Sequence, residues 1–240
     1  MSIATQVQHG MSPQVKRGVT RWVVRETMGV VMLAVMLFLA AGTVNWIAGW
    51  AMVTVMAGWV TATAIVVIPR YPELLAERMG PKKGAKTWDT ALLGLYGVAM
   101  MIMWIMAGLD LRYHWSSGIG PVAQIGALLI VIAGYGLVVW ATGVNAFFSQ
   151  VVRIQSERGH TVVSSGPYRN VRHPAYVGMI LVVSGAPIML GSWWALIPGV
   201  SSAVLMIVRT ALEDRTLQAE LPGYAEYAQH VRYRLVPGIW

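Results

Sequence analysis

The chain of 240 residues contains no cysteine, and only 12% of its residues are charged. The absence of cysteine excludes disulfides, thiol nucleophiles and thiolate-bound metals. The low charge excludes an ordinary soluble domain, in which about a quarter of the residues are charged. The sequence also lacks zinc-type spacings of histidine and carboxylate and a glycine-rich strand-to-helix loop. We therefore predict no metal and no dinucleotide or phosphate site of the usual kind.

Hydrophobic residues make up 56% of the chain and gather in long apolar runs. Four of these runs can cross a bilayer core of about 30 Å at about 1.5 Å per residue. The last two have about 16–18 residues each, and we predict that they form a short hairpin, which either spans the bilayer or is re-entrant. The sequence therefore predicts an all-α, polytopic integral membrane bundle with about six spans. The runs lie at about residues 24–42, 45–69, 89–109, 121–148, 175–190 and 192–209.

The basic residues indicate how this bundle is oriented. Of the 18 lysines and arginines, all but Arg112 precede span one or follow spans two, four and six. Under the positive-inside rule, both termini and these loops are cytoplasmic. The net charge of +8 is explained by this topology, so we predict no nucleic-acid partner.

The chain is predicted to form one structural unit with two parts. Residues 1–109 hold the first three spans and an interfacial loop at 70–88, and residues 110–240 hold the catalytic and cofactor-binding region. Within the loop we predict a short amphipathic helix whose Leu74, Leu75 and Met79 face lipid. A segment that only touches anionic headgroups is at least as good an interpretation as a role in substrate binding.

A second amphipathic helix is predicted on the cytoplasmic side, over residues 145–155. There the sequence continues the fourth span, and Gly159 is placed to end the helix as a C-cap.

The densest polar stretch runs from residue 160 to residue 178, between two apolar segments. Ionisable groups so close to a bilayer are costly, which suggests that they have a function. Pro174 disfavours helical geometry at His173 and suits the first turn of a helix, so His173 precedes a helix N-terminus. Farther on, Arg209 and Glu213 share one helix face. These features predict a membrane enzyme with a pocket at its cytoplasmic face.

Each of these residues also has a structural interpretation. His173 suits a headgroup-facing cap, Tyr168 and Tyr176 suit interfacial anchors, and Glu213 suits a surface ion pair with Arg209. His9, His114 and His230 have no partner pattern and receive no role.

Two motifs in the second half of the chain resemble the isoprenylcysteine carboxyl methyltransferase family, which also includes phospholipid N-methyltransferase-like enzymes. The resemblance covers roughly residues 70–240. The first motif is His160…Gly166-Pro-Tyr168…Arg172-His-Pro-x-Tyr176-x-Gly178. The second is Arg209-x-x-x-Glu213-Asp214, then Gly223-Tyr-x-x-Tyr227 and Arg234-Leu-Val-Pro237. A third run, Pro72-Glu-Leu-Leu-x-Glu-Arg with Lys86-x-Trp-Asp89, resembles the bacterial members.

The resemblance implies S-adenosylmethionine as cofactor, bound by the last helices and the tail without a Rossmann domain. It implies a lipophilic or membrane-associated acceptor, which is a carboxylate, thiol or amine, and a bacterial inner-membrane location. Arg172 and Arg209 are implied to orient the nucleophile, and Glu213 or His173 to act as a base for an amine. The implied cofactor residues are His160, Gly166, Tyr168, His173, Pro174, Tyr176, Glu213 and Asp214.

Two other hypotheses stay open. One is an NADPH-dependent membrane reductase of the sterol-reductase type, whose C-terminal region is broadly similar. The other is a non-catalytic membrane protein that has kept the fold.

Overall fold

The computed structural model describes residues 11–80 and 84–240, and regular structure in these ranges is entirely helical. The predicted all-α class is therefore confirmed. His9, Lys82 and Lys83 lie outside the described residues. The helices are α1 (Pro13–Ala41), α2 (Ile47–Val67), α3 (Pro72–Arg78), α4 (Thr87–Tyr113), α5 (Pro121–Val144), α6 (Pro174–Met189), α7 (Leu196–Glu220) and α8 (Tyr224–His230), with 3-10 turns at Ser156–Arg158 and Gly166–Arg169.

Five helices are long and apolar enough to cross a membrane: α1, α2, α4, α5 and α7. Helix α6 is apolar but has only 16 residues. The number of crossings and the orientation of the termini therefore remain predictions. Helix α7 joins the predicted sixth span to the segment that follows it, because no glycine or proline interrupts the chain between Gly199 and Pro222.

Helices α5 and α6 pack closely because small residues face each other. A Cβ built on Gly134 would lie 2.7 Å from the carbonyl oxygen of Gly178, so the two backbones nearly touch. The main core cluster lies in the same region and includes Leu37 of α1, Met103 of α4 and Val131 of α5. This packing fixes the start of α6, where the polar motif ends.

The prediction for α3 is only partly right. The helix forms, but Leu74 and Leu75 are fully buried against Trp22 and Val67 and do not face lipid. The reason is that α1 extends beyond its apolar run and covers α3. A Cβ on Gly18 of α1 would lie 2.5 Å from the Cβ of Ala76, so the glycine permits this contact.

The predicted helix over residues 145–155 is wrong. Helix α5 ends at Val144, and Asn145 is extended, with φ −118° and ψ 98°. The Asn145 side chain accepts a hydrogen bond from the Phe147 backbone N–H at 2.9 Å, which competes with helical bonding. Gly159 has φ 65°, as a C-cap requires, but it ends the short 3-10 turn Ser156–Arg158.

The C-terminal tail packs back on the bundle. Leu221, Tyr224 and Tyr227 form a buried cluster. The backbone N–H of Arg172 donates to the Tyr233 carbonyl at 2.9 Å, and that of His173 donates to the Arg234 carbonyl at 3.0 Å. The tail thereby lies directly against the polar motif.

Candidate active site

A polar pocket lies between the motif and the tail. Its volume is about 500 Å³, a figure that includes its open mouth. The wall comes from the segment just after α5, residues 160–163, the second 3-10 turn, the start of α6, and helices α7 and α8. Six of the predicted site residues line it: His160, Tyr168, Arg172, His173, Tyr176 and Glu213.

Four other predicted residues lie outside this wall: Gly166, Pro174, Arg209 and Asp214. Gly166 begins the 3-10 turn that carries Tyr168 and has φ +57°, which glycine adopts without strain. Pro174 is the first residue of α6 and fixes His173 just before the helix. These two residues shape the backbone that presents the pocket side chains.

Asp214 joins the motif to the tail. Its side chain is fully buried, and both of its oxygens accept several hydrogen bonds. The donors are Arg172 Nε at 2.7 Å and Nη2 at 2.9 Å, Gln218 Nε2 at 2.7 Å, Arg234 Nε at 2.8 Å and the Tyr224 hydroxyl at 3.1 Å, with His173 Nε2 at 3.2 Å. A carboxylate with this many partners has little capacity left for a ligand.

Arg172 is held in the same way. Besides its two bonds to Asp214, its Nη1 donates to the carbonyls of Val231 and Arg232 at 2.7 and 2.8 Å. The pair therefore ties the start of α6, helix α7 and the tail into one unit.

A second buried network reaches the pocket from the other side. Arg209 Nε donates to Asp89 at 2.7 Å, and its Nη2 donates to the Gln150 carbonyl at 3.0 Å. Its Nη1 donates to the Tyr176 hydroxyl, which in turn donates to Glu213. The guanidinium also lies 5.0 Å from the centre of the Tyr176 ring.

Asp89 is a residue that the sequence analysis did not assign to the site. It is fully buried and also accepts from the Val152 backbone N–H at 2.7 Å. Its partner Arg209 is 120 positions away, so no local spacing reveals the pair. The available signal was a carboxylate at the first turn of an apolar helix, which needs a partner if it is buried.

Glu213 offers the pocket an unpaired oxygen. Oε2 accepts from Tyr176, whereas Oε1 has no hydrogen bond to any residue in the described ranges. The side chain is half-buried and lines the pocket. This oxygen is available to a bound cation or to a proton donor.

His160 is a neutral base in the pocket wall. Its ring stacks on Phe147 at 4.7 Å, and its Nδ1 accepts from the Gln155 backbone N–H at 3.3 Å. Burial, together with the positive charges of Arg158 and Arg153, lowers the pKa of His160 from 6.5 to about 4.

The lowered pKa of His160 predicts that the folded chain becomes less stable in acid. Because the pKa of His160 is lower in the folded chain, the unfolded chain binds a proton first, and the free energy of unfolding decreases as the pH falls from 6.5 towards about 4. We expect His160→Gln to remove part of this dependence, measured as unfolding midpoints across that pH range. The exposed His230→Gln is the control. Equal pH slopes for wild type and His160→Gln would contradict the assignment.

Aromatic residues that the sequence analysis did not assign complete the pocket. Phe148, Tyr224 and Tyr227 line it, and the two tyrosine rings meet edge-on at 5.4 Å. The Tyr227 hydroxyl donates to the Tyr168 carbonyl at 2.6 Å, while the Tyr168 hydroxyl accepts from Asn145 at 3.1 Å. Their burial raises the pKa values of Tyr168 and Tyr227.

An apolar cavity lies beside this pocket, among α1, α2, α4, α5 and α6. Its volume is about 1110 Å³, including its opening. It begins at Leu93, one helical turn beyond Asp89, and extends along α4 to Trp104. Tyr96 and Met179 of its wall pack against the cluster that contains Tyr176. Tyr176 thus stands between the polar pocket and the apolar cavity.

Among the described residues, no group of three or more histidines or carboxylates could hold a metal ion.

Comparison with known proteins gives consistent similarities. Residues 122–221 match the Phospholipid methyltransferase family. A probable protein-S-isoprenylcysteine O-methyltransferase of Oryza sativa is 24% identical over 138 residues, which cover 55% of this chain and 70% of the rice protein. The cobalt-zinc-cadmium resistance protein CzcN of Cupriavidus metallidurans is 37% identical over 79 residues, or 32% of this chain and 36% of that protein.

A solved structure has a similar fold. It is that of the eukaryotic intramembrane Ras methyltransferase ICMT, at a TM-score of 0.51 and 18% identity. The match covers 95% of this chain and 99% of that one.

Proposed function

Because the chain belongs to the isoprenylcysteine carboxyl methyltransferase-like family of membrane methyltransferases, we propose that it transfers a methyl group from S-adenosylmethionine to a lipophilic acceptor. The observation that carries this proposal is the position of Tyr176 and Glu213. They stand where a polar pocket adjoins a large apolar cavity. Such an arrangement suits a polar donor on one side and a lipid on the other.

The pocket suits S-adenosylmethionine in its chemistry. Tyr168, Tyr224 and Tyr227 supply aromatic surface for a purine, and the unpaired oxygen of Glu213 suits a cationic group. His173 lies at the N-terminus of the 16-residue α6, where the positive end of the helix dipole favours a carboxylate.

When bound, S-adenosylmethionine supplies a methyl group carried on a cationic sulfur. The chain contributes alignment and the exclusion of water, which can lower a barrier by about 7–11 kcal/mol in favourable cases. Asp89 fixes Arg209, Arg209 fixes the Tyr176 hydroxyl, and that hydroxyl fixes Glu213. The buried network therefore holds Glu213 in one position at the boundary of the two cavities.

The residues at this boundary suit different acceptors. For an amine, Glu213 Oε1 takes up the proton that the nitrogen loses. A carboxylate or thiolate needs no base, and Arg209 then acts on the acceptor indirectly, through the Tyr176 hydroxyl that its Nη1 holds in place. The rice relative is named for protein-S-isoprenylcysteine, and the solved relative for Ras and for the isoprenylcysteine carboxyl group.

We also propose that the pocket opens to the cytoplasm and that the protein resides in the bacterial inner membrane. The support is the charge asymmetry of the sequence, because Arg112 alone falls at the opposite ends of the predicted spans. Most of the residues that line the polar pocket lie between predicted spans four and five or after span six, and these two segments carry eight of the other basic residues.

Isothermal titration of the purified chain tests the proposed cofactor. We expect S-adenosylhomocysteine to bind with micromolar affinity and NADPH not to bind. His173→Ala should weaken the binding of S-adenosylhomocysteine roughly tenfold or more, and a factor of ten corresponds to about 1.4 kcal/mol of binding free energy. The control is His114→Asn, at an exposed site whose φ of 54° asparagine tolerates.

Binding of NADPH alone would overturn the proposal in favour of a reductase. Binding of neither ligand would favour a non-catalytic protein. An unchanged affinity in His173→Ala would overturn the assignment of the pocket.

A further inference from the structure

Two tyrosine hydroxyls in the apolar cavity have no hydrogen-bond acceptor in the part of the chain that the structure describes. Tyr96 of α4 and Tyr135 of α5 line it, and neither hydroxyl forms a hydrogen bond with another described residue. Both oxygens are accessible, unlike the indole nitrogens of Trp59 and Trp104 in the same wall, which are buried. The Tyr135 ring is held by stacking on Trp59, with centroids 5.1 Å apart.

An occupant made only of hydrocarbon would leave these hydroxyls unsatisfied. Polar groups in a membrane interior are costly unless they are hydrogen-bonded, and the bilayer core supplies no water. The rest of the cavity wall is almost entirely apolar, with several methionines, so the protein offers little else to satisfy the two hydroxyls. The cavity is therefore complementary to a lipid that carries acceptor oxygens within its apolar part.

The position of Tyr96 agrees with such a lipid. It lies seven residues beyond Asp89 on α4, or about 10 Å along the helix axis. A lipid whose reacting group lies at Arg209 and Glu213 would thus place the linkage between headgroup and chains near Tyr96. Its chains would continue along α4 towards Trp104.

We propose that this cavity binds an ester-linked acyl lipid, and that Tyr96 and Tyr135 donate hydrogen bonds to its ester carbonyl oxygens. The two tyrosines then determine specificity, because they select acyl lipids over isoprenyl and ether-linked ones. The inference rests on the proposed function in one respect, since it takes the occupant to be the methyl acceptor.

Lipid binding to the full chain tests this inference without the cofactor. The probes are dioleoyl phosphatidylethanolamine, its diether analogue with the same headgroup and chain length, and farnesol. Affinities come from the dependence of the unfolding midpoint on lipid concentration in detergent. We expect the ester lipid to bind about five- to tenfold more tightly than the diether, as two hydrogen bonds allow.

The double variant Tyr96→Phe/Tyr135→Phe keeps both rings. It should reduce the ratio of the ester-lipid affinity to the diether affinity to about one. Tyr113→Phe, at the exposed far end of α4, is the matched control and should keep the preference. Gly97→Leu should weaken the binding of both phospholipids, because the larger side chain fills part of the cavity. The fold can accept the substitution, since a Cβ at this position meets nothing within 4 Å.

Equal affinity for the ester and ether lipids would overturn the inference. So would tighter binding of farnesol, or an ester preference that survives in the double variant. Absence of methyl transfer or of S-adenosylhomocysteine binding would overturn the proposed function alone, because these lipid affinities are measured without the cofactor.

Discussion

Replacement of Glu213 by glutamine is expected to lower the rate of methyl transfer by roughly 100- to 10,000-fold. Glutamine keeps the size of the side chain and an oxygen that can accept from the Tyr176 hydroxyl. It removes the negative charge and the basic oxygen at the boundary of the two cavities. The transfer of a labelled methyl group to a lipid extract, under saturating S-adenosylmethionine, measures the effect.

The matched control is Glu226→Gln, an exposed carboxylate on α8, which should retain the wild-type rate. Tyr176→Phe should show an intermediate loss, because it frees Glu213 and Arg209 from each other without removing either charge. A loss of less than tenfold in Glu213→Gln would contradict the role that we give to this carboxylate.

Asp214→Asn is expected to reduce the free energy of unfolding by about 3–5 kcal/mol, the usual cost of removing one partner of a buried ion pair. The carboxylate is fully buried and neutralises Arg172 at 2.7 Å and Arg234 at 2.8 Å. Asparagine leaves those guanidinium groups without a counter-charge. Denaturant unfolding in detergent measures the change, with Glu226→Gln as the control.

The same substitution should release the tail. We expect trypsin to cleave Asp214→Asn after Arg232 and Arg234 at concentrations that leave the wild type intact. A free energy of unfolding within about 1 kcal/mol of wild type, with an unchanged cleavage pattern, would contradict the central role of Asp214.

The sequence predicts the helical architecture well because long apolar runs have few other stable states in a membrane. It fails at residues 145–155, where Phe147, Phe148 and the valines that follow have an amphipathic spacing. There the Asn145 side chain bonds the backbone, a competition that periodicity does not reveal. The partnership of Asp89 with Arg209 is also invisible, because it depends on how α4 and α7 pack.

The adjacent acids Glu213 and Asp214 show a further limit. The resemblance treats them as one pair at the cofactor. Neighbouring residues on a helix point about 100° apart, however, so they serve different surroundings. Glu213 faces the pocket, whereas Asp214 faces the tail and the two arginines. Their separate tasks follow from the position of the tail, which local sequence does not specify.

The Arg172–Asp214 contact has a consequence for biogenesis. Arg172 lies just before α6, Asp214 lies 42 positions later in the last part of α7, and Arg234 joins them from farther along the chain. During synthesis, the first half of the pocket therefore emerges long before its counterpart. The pocket can close only after α7 has entered the membrane and the tail has left the ribosome. A chain that ends before the tail consequently lacks the Arg234 contact and the part of the pocket wall that Tyr224 and Tyr227 supply.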